Sequence, residues 1–247
     1  MLRRALLLML LAMASAAHAG RVQVAVAANL AAPMQKLAAD FARVTGHQAA
    51  VVLGSTGKFY AQVQAGAPFE VLLAADEETP ARLEREGLAV RGSRFTYATG
   101  RLALWSADPA GVDAQGAVLR QPARGKLAIA DPRLAPYGAA AVATLEHLGV
   151  RAAWQPHVVQ GENIGQAYQF AATGNAALAF VALSQVMADG RIAKGSAWIV
   201  PASLHAPLKQ DAVLLAPGRD DPAAAAFLHY LRSDAARAIL RGYGYEA

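Results

Sequence analysis

The chain has 247 residues, with 23 Lys and Arg against 18 Asp and Glu, and no cysteine. Its formal charge of +5 becomes +3 once Arg3 and Arg4 are set apart, and no long basic run remains. That balance gives no footing for nucleic acid, and the missing cysteine excludes a disulfide framework and a lipid anchor attached through a thiol.

Residues 1–19 read as an export signal. Arg3 and Arg4 form a basic start, residues 5–13 a compact apolar run, and Ala17-His18-Ala19 puts small residues where a signal peptidase reads. The apolar run is too short to span a bilayer. The mature remainder, about 230 residues, suffices for one large domain or two lobes, each with its own core.

Residues 22–28 read as a buried strand. Asn29 is placed to cap a helix whose apolar positions, Leu30, Met34, Leu37, Ala38 and Phe41, recur at three- and four-residue spacings. Gly46 closes it. A second strand over 49–53, a helix over 55–65 and a third strand over 69–75 come next, and the acidic, proline-bearing stretch 76–80 opens another helix. Strand and helix thus alternate, which predicts an α/β layer with a largely parallel sheet. Residues 94–105 are β-prone with no helix attached, suited to carry the chain from one lobe into another. A second α/β run predicts strands over 126–130, 158–159 and 177–182, with helices over 139–148 and 163–172. A second β-prone crossing over 210–216 precedes helices over 222–231 and 233–240 and an aromatic tail, Tyr243-Gly244-Tyr245. No internal repeat is visible.

Gly54-Ser55-Thr56-Gly57-Lys58 looks at first like a nucleotide phosphate cradle. That cradle requires four residues between its glycines and a hydroxyl after the lysine. Here two residues intervene and Phe59 stands after the lysine, so the nucleotide reading is set aside. The underlying physics survives: a helix start offers unpaired N–H groups and a partial positive charge. Ser55 can donate to an anion there or simply cap its own helix. Three further helix openings lie at strand ends: Ala28-Asn29, Pro136-Tyr137-Gly138 and Glu162-Asn163-Ile164. All four can converge on one dehydrated anion. Equally, Tyr137 can be a packed loop aromatic, Ile164 a first-turn core residue and Lys58 a solvated lysine, with the direction of Glu162 open.

Catalysis is not expected. Ser55 lacks the G-x-S-x-G elbow, the six histidines are scattered with no metal-ligand spacing, and Asp76, Glu77 and Glu78 read as a helix-start cluster.

Val24 to Leu30, Gly54 to Gly57, Asp131-Pro132 with Pro136-Tyr137-Gly138, and Gly161-Glu162-Asn163-Ile164 occur in the order and spacing seen in periplasmic molybdate-binding proteins. The chain resembles these substrate-binding subunits of molybdate ABC importers over nearly its whole mature length. The resemblance implies an α/β, two-lobed periplasmic-binding-protein fold of type II, each lobe a mixed, mostly parallel sheet flanked by helices, with two hinge crossings. The expected division is lobe one over 20–98 and 210–247 and lobe two over 99–209. The implied ligand is molybdate, with tungstate beside it, and no cofactor. The implied contacts are Asn29 and Ser55 from lobe one, with Ala28 at the edge, and from lobe two Tyr137 and the backbone N–H of Ile164. Many members carry a tyrosine where this chain has Ala182, and Tyr137 is the candidate for the missing hydroxyl. The implied setting is the periplasm, as a monomer that meets an inner-membrane permease and its cytoplasmic ATPase. The alternatives are a binder of another oxyanion such as sulfate and, more remotely, a serine hydrolase using Ser55.

Overall fold

The computed structural model describes residues 19–247, so the export signal read over 1–19 lies outside it except for Ala19. The chain begins with β1 (Arg21–Ala27), a 3-10 turn (Ala28–Leu30), α1 (Ala31–Thr45), β2 (Gln48–Gly54), α2 (Thr56–Gln64), β3 (Val71–Leu73), α3 (Glu78–Arg85) and β4 (Phe95–Gly100). After Arg101 it continues through β5 (Leu102–Ser106), β6 (Leu127–Ala130), α4 (Pro136–His147), α5 (Arg151–Trp154), β7 (Val158–Gly161), α6 (Ile164–Ala172), β8 (Leu178–Ala182) and α7 (Leu183–Val186). A short hairpin of β9 (Met187–Ala188) and β10 (Arg191–Ile192) precedes β11 (Ser196–Ile199), β12 (Leu208–Leu214), α8 (Pro222–Leu231) and α9 (Asp234–Gly242).

Two five-stranded sheets result, in the orders β2-β1-β3-β12-β4 and β11-β5-β8-β6-β7. Both are mixed. β1 pairs in parallel with β2 and β3, and β6 with β7 and β8, whereas β12 and β5 run antiparallel to their neighbours. The two sheets therefore share one topology, although no sequence repeat announces it. In each, a β-α-β-α-β unit supplies three parallel strands and a crossing strand packs beside the third. Val22, Val24 and Val26 of β1 are fully buried toward Met34, Leu37 and Phe41 of α1 and Phe227 of α8. Ala25, on the other face, packs with Phe59 of α2 and Leu72. A central parallel strand covered on both sides accounts for its unbroken apolar run.

Three local expectations change. The β-prone run over 94–105 divides at Arg101 into β4 of the first sheet and β5 of the second. The helix expected over 139–148 starts at Pro136, because proline at the first helical position has no N–H to lose and a suitable φ. Asn29 does not cap α1: a 3-10 turn intervenes, Leu30 takes the cap position, and no side chain caps it. The Asn29 amide is used elsewhere.

Candidate functional site

The carboxyl ends of β1, β2, β6 and β7 lead into four helical starts, β6 across the short loop 131–135. Together these starts enclose one small cavity lined by Ala27, Ala28, Asn29, Gly54, Ser55, Thr56, Ala75, Ala135, Pro136, Tyr137, Asn163 and Ile164. All five residues expected at the site, Ala28, Asn29, Ser55, Tyr137 and Ile164, therefore reach the same place, from both sheets. The room inside is about 10 Å³ for the centre of a water-sized sphere, so the two halves stand close together. A larger cavity of about 480 Å³, beside Ser106, Arg124 and Trp154, lies by the amino end of β8 and away from these strand ends.

No lining residue carries a formal charge. What the site offers is backbone N–H groups and neutral polar side chains. The first N–H groups of each helix lack partners within the helix. Some are taken up locally: Asn163 caps α6 by accepting from the Gln166 N–H at 3.0 Å, and the Ala135 carbonyl accepts from the Gly138 N–H at 2.9 Å. The N–H groups of Tyr137 and Ile164, in the opening turns of α4 and α6, have no acceptor in their own helices. Ser55 holds the N-cap position of α2, yet its side chain makes no capping bond, and its buried Oγ has no hydrogen-bond partner. Asn29 Oδ1 is likewise buried and unpartnered. Thr56, which sequence reasoning missed, ties the site's floor by accepting from the Ala75 N–H at 3.0 Å.

Behind the cavity lies a polar network that sequence reasoning did not find. Asn29 Nδ2 donates to Gln210 Oε1 and to Tyr245 Oη, each at 2.8 Å. Tyr97 Oη donates to Gln210 Oε1 at 2.8 Å or to the Ala74 carbonyl at 3.0 Å. Gln210 Nε2 donates to Tyr137 Oη at 2.9 Å. Ser184 Oγ donates to the Asn29 carbonyl at 2.7 Å, and Tyr245 Oη lies 3.0 Å from Ser184 Oγ. Asn29, Tyr97, Gln210 and Tyr245 belong to or pack on the first sheet; Tyr137 and Ser184 come from elements of the second. The Tyr137 hydroxyl thus faces Gln210, under the backbone of Gly100. A Cβ on Gly100 would lie 2.0 Å from that hydroxyl and 2.3 Å from Gln210 Nε2, so only glycine admits the contact. Burial, with Tyr245 nearby, holds Tyr97 and Tyr137 well above the ordinary tyrosine range, and burial pushes Tyr245 up to about 12. All three remain neutral donors and acceptors.

At the mouth the halves also touch directly. The Gly57 N–H donates to the Leu134 carbonyl at 2.9 Å, and Lys58 Nζ lies 2.5 Å from Glu162 Oε1. Lys58, read from the sequence as a solvated lysine, and Glu162, whose direction was open, therefore pair with each other beside the cavity. Ser55 has no histidine or carboxylate among the lining residues to act as a base. Among the described residues no cluster of three or more His, Cys, Asp or Glu could hold a metal ion, and no helix is long and apolar enough to cross a membrane.

The family model for bacterial extracellular solute-binding proteins matches residues 22–246. The chain is 55% identical over 233 residues to the molybdate-binding protein ModA of Azotobacter vinelandii, covering 94% of this chain and 92% of that one. It is 50% identical over 239 residues to ModA of Rhodobacter capsulatus, covering 97% and 93%. The solved structure of the Azotobacter vinelandii periplasmic molybdate-binding protein superimposes with a TM-score of 0.88 at 40% identity, over 92% of this chain and 99% of that one.

Proposed function

The chain belongs to the bacterial extracellular solute-binding proteins, and from that membership we propose that it captures molybdate, and tungstate with it, between its two halves. It is a transport protein, not an enzyme. It holds the oxyanion as cargo rather than cofactor and delivers it to an ABC permease driven by a cytoplasmic ATPase. It works in the periplasm as a monomer. The observation that carries this reading is the convergence of four helical starts, two from each sheet, on a cavity with no charged lining residue. High identity to two molybdate-binding proteins narrows the anion.

The contacts we assign are the Asn29 side chain, the Ser55 hydroxyl and N–H, and the N–H groups of Tyr137 and Ile164, with Ala28 at the rim. Tyr137 contributes through its backbone, since its hydroxyl is committed to Gln210. A dianion held by several charge-assisted hydrogen bonds in a dry cavity needs no formal cation. Phosphate keeps a proton near neutral pH and would want an acceptor. Sulfate is smaller and would not reach donors fixed on two separate sheets. With the expected bounds moved two residues to follow β4 and β12, residues 20–100 with 208–247 form one lobe and 101–207 the other, and the crossings near Arg101 and between β11 and β12 act as hinges.

Ligand-induced stabilisation tests this reading. Molybdate at a hundred times its dissociation constant should add about 2.7 kcal/mol, or about 5–10 °C in a chain of this size. Tungstate should match it, and equal sulfate or phosphate should leave the melting temperature in place. Stabilisation by sulfate alone would overturn the assignment.

A further inference from the structure

The orphaned oxygen of Asn29 bears on how the site binds an anion at all. As oriented, the Asn29 amide turns both N–H bonds toward Gln210 and Tyr245 and leaves Oδ1 buried without a partner. A carbonyl oxygen turned toward an oxyanion repels it, so the amide must reverse to donate. A side-chain amide exchanges its oxygen and nitrogen by a half-turn. Asn29 cannot do so alone: its oxygen would then meet Gln210 Oε1 at 2.8 Å, acceptor against acceptor.

If Gln210 turns as well, each of its contacts is kept with its direction reversed. Gln210 Nε2 donates to Asn29 Oδ1 and to Tyr97 Oη, and Tyr97 passes its own proton to the Ala74 carbonyl. Tyr137 Oη donates to Gln210 Oε1 where it previously accepted. Tyr245 Oη donates to Asn29 Oδ1. Hydroxyls serve either way, so three tyrosines permit both senses of the network. In the reversed sense the Tyr245 hydroxyl gives up its donation to Ser184 Oγ at 3.0 Å or to the Asn29 carbonyl at 3.1 Å, the Asn29 carbonyl keeps the Ser184 hydroxyl, and the Asn29 N–H takes the position of the orphaned oxygen.

We propose that Gln210, on the returning strand β12, is a positioning residue for the anion: by presenting its N–H to Asn29 it forces the Asn29 amide to face the cavity as a donor. Gln210 is fully buried and lines no part of the cavity. It acts through Asn29, and because it also holds Tyr137 it links that donor to the second half. The proposal rests on the oxyanion reading above.

The test uses the whole mature protein labelled with ¹⁵N-asparagine. The sequence holds three asparagines, Asn29, Asn163 and Asn175, so three side-chain amide pairs are seen, and that of Asn29 is identified by its loss in Asn29→Asp. Saturation with molybdate should move the Asn29 pair strongly downfield while that of Asn175 stays in place. Gln210→Met, which keeps length and removes both hydrogen-bonding functions, should weaken molybdate binding at least tenfold in calorimetric titration and abolish that shift. A Gln210→Met protein that binds as tightly as the parent, or an Asn29 pair that stays put at saturation, overturns the inference alone. If Gln210→Met does not fold, the shift in the parent protein decides. If the parent takes up no molybdate, the oxyanion reading falls and this inference with it.

Discussion

Replacing Gly57 with alanine separates closure of the two halves from folding of either. Gly57 stands in the first turn of α2, and its N–H donates across the cleft to the Leu134 carbonyl. A Cβ there would lie 3.1 Å from both Leu134 Cα and its carbonyl oxygen. Its φ is outside the left-handed region, so its own backbone accepts alanine. Two effects then oppose each other. Within its half, alanine favours the helix over glycine by about 0.8–1.0 kcal/mol, which should raise the ligand-free melting temperature by about 2–4 °C. Across the cleft, Leu134 must retreat by a few tenths of an ångström. That weakens a hydrogen bond worth about 1 kcal/mol and adds at least about 1 kcal/mol of overpacking. A loss of about 2–3 kcal/mol in the closed state corresponds to molybdate binding weakened about 30- to 150-fold. Titration calorimetry with molybdate, beside differential scanning calorimetry without it, reads both numbers. Unchanged affinity would mean that the halves need not approach this closely. A lower ligand-free melting temperature would mean that the glycine serves folding instead.

Three further substitutions probe other parts of the structure. Ile164→Pro removes the N–H assigned to the anion at a first helical position that tolerates proline, behind an Asn163 whose extended backbone suits a following proline. Molybdate affinity should fall at least tenfold, by the loss of a hydrogen bond to a charged group, while Ile164→Val keeps it. Arg94→Ala strands the Asp211 carboxylate, which is fully buried and would keep only the Thr96 hydroxyl as a side-chain partner. It should cost about 3–5 kcal/mol in urea unfolding, whereas Arg43→Ala, in a pair at the surface, should leave the urea midpoint nearly in place. Asp113 accepts from the N–H groups of Ala117, Gln115 and Val118, and these bonds hold its carboxyl below the ordinary aspartate range. A lowered folded-state value means stability that is fully present above the unfolded value, about pH 3.9, and is lost as pH falls toward the folded one. Asp113→Asn should flatten the acid limb of a stability-versus-pH curve and leave its shape near neutrality alone.

How much of this was legible in the sequence depends on how local the cause was. The strand ends and helix openings at Ala28-Asn29, Ser55, Tyr137 and Asn163-Ile164 were readable because each is set by a few neighbouring residues: an apolar strand, then a glycine, proline or capping side chain. Their meeting in one cavity is a consequence of aligning the parallel strands. The network behind it was not readable, because Asn29 joins residues 181 and 216 positions away. Tyr245 showed only as part of an aromatic tail, and Gln210 as the start of a β-prone run. One signal was present: a glutamine and an aspartate, Gln210-Asp211, in the middle of a strand that is otherwise largely apolar. Buried polar residues in such a place require partners, and the pair coincides with a register shift in the β12–β4 ladder. The misassigned cap at Asn29 has the same origin. A side chain suited to capping was drawn instead into a tertiary hydrogen bond.

The duplicated topology gives these details a common logic. Each sheet brings two helical starts to one edge, so either half alone offers an oxyanion donors on one side and water on the other. Charge-assisted bonds gain strength only when water is excluded, and exclusion requires the second half. On the proposed reading affinity and closure are therefore one event, and residues that hold the halves in register should control binding without touching the anion. Gly57, packed against Leu134, does so at the mouth, and Gln210, bonded to both Asn29 and Tyr137, does so at the floor. A substitution at the mouth should slow closure but leave the donors correctly turned. One at the floor should leave the halves free to close around a carbonyl where a donor is needed. The two classes should separate by tungstate as well as molybdate titration: mouth variants losing affinity with the Asn29 amide shift intact at saturation, floor variants losing both.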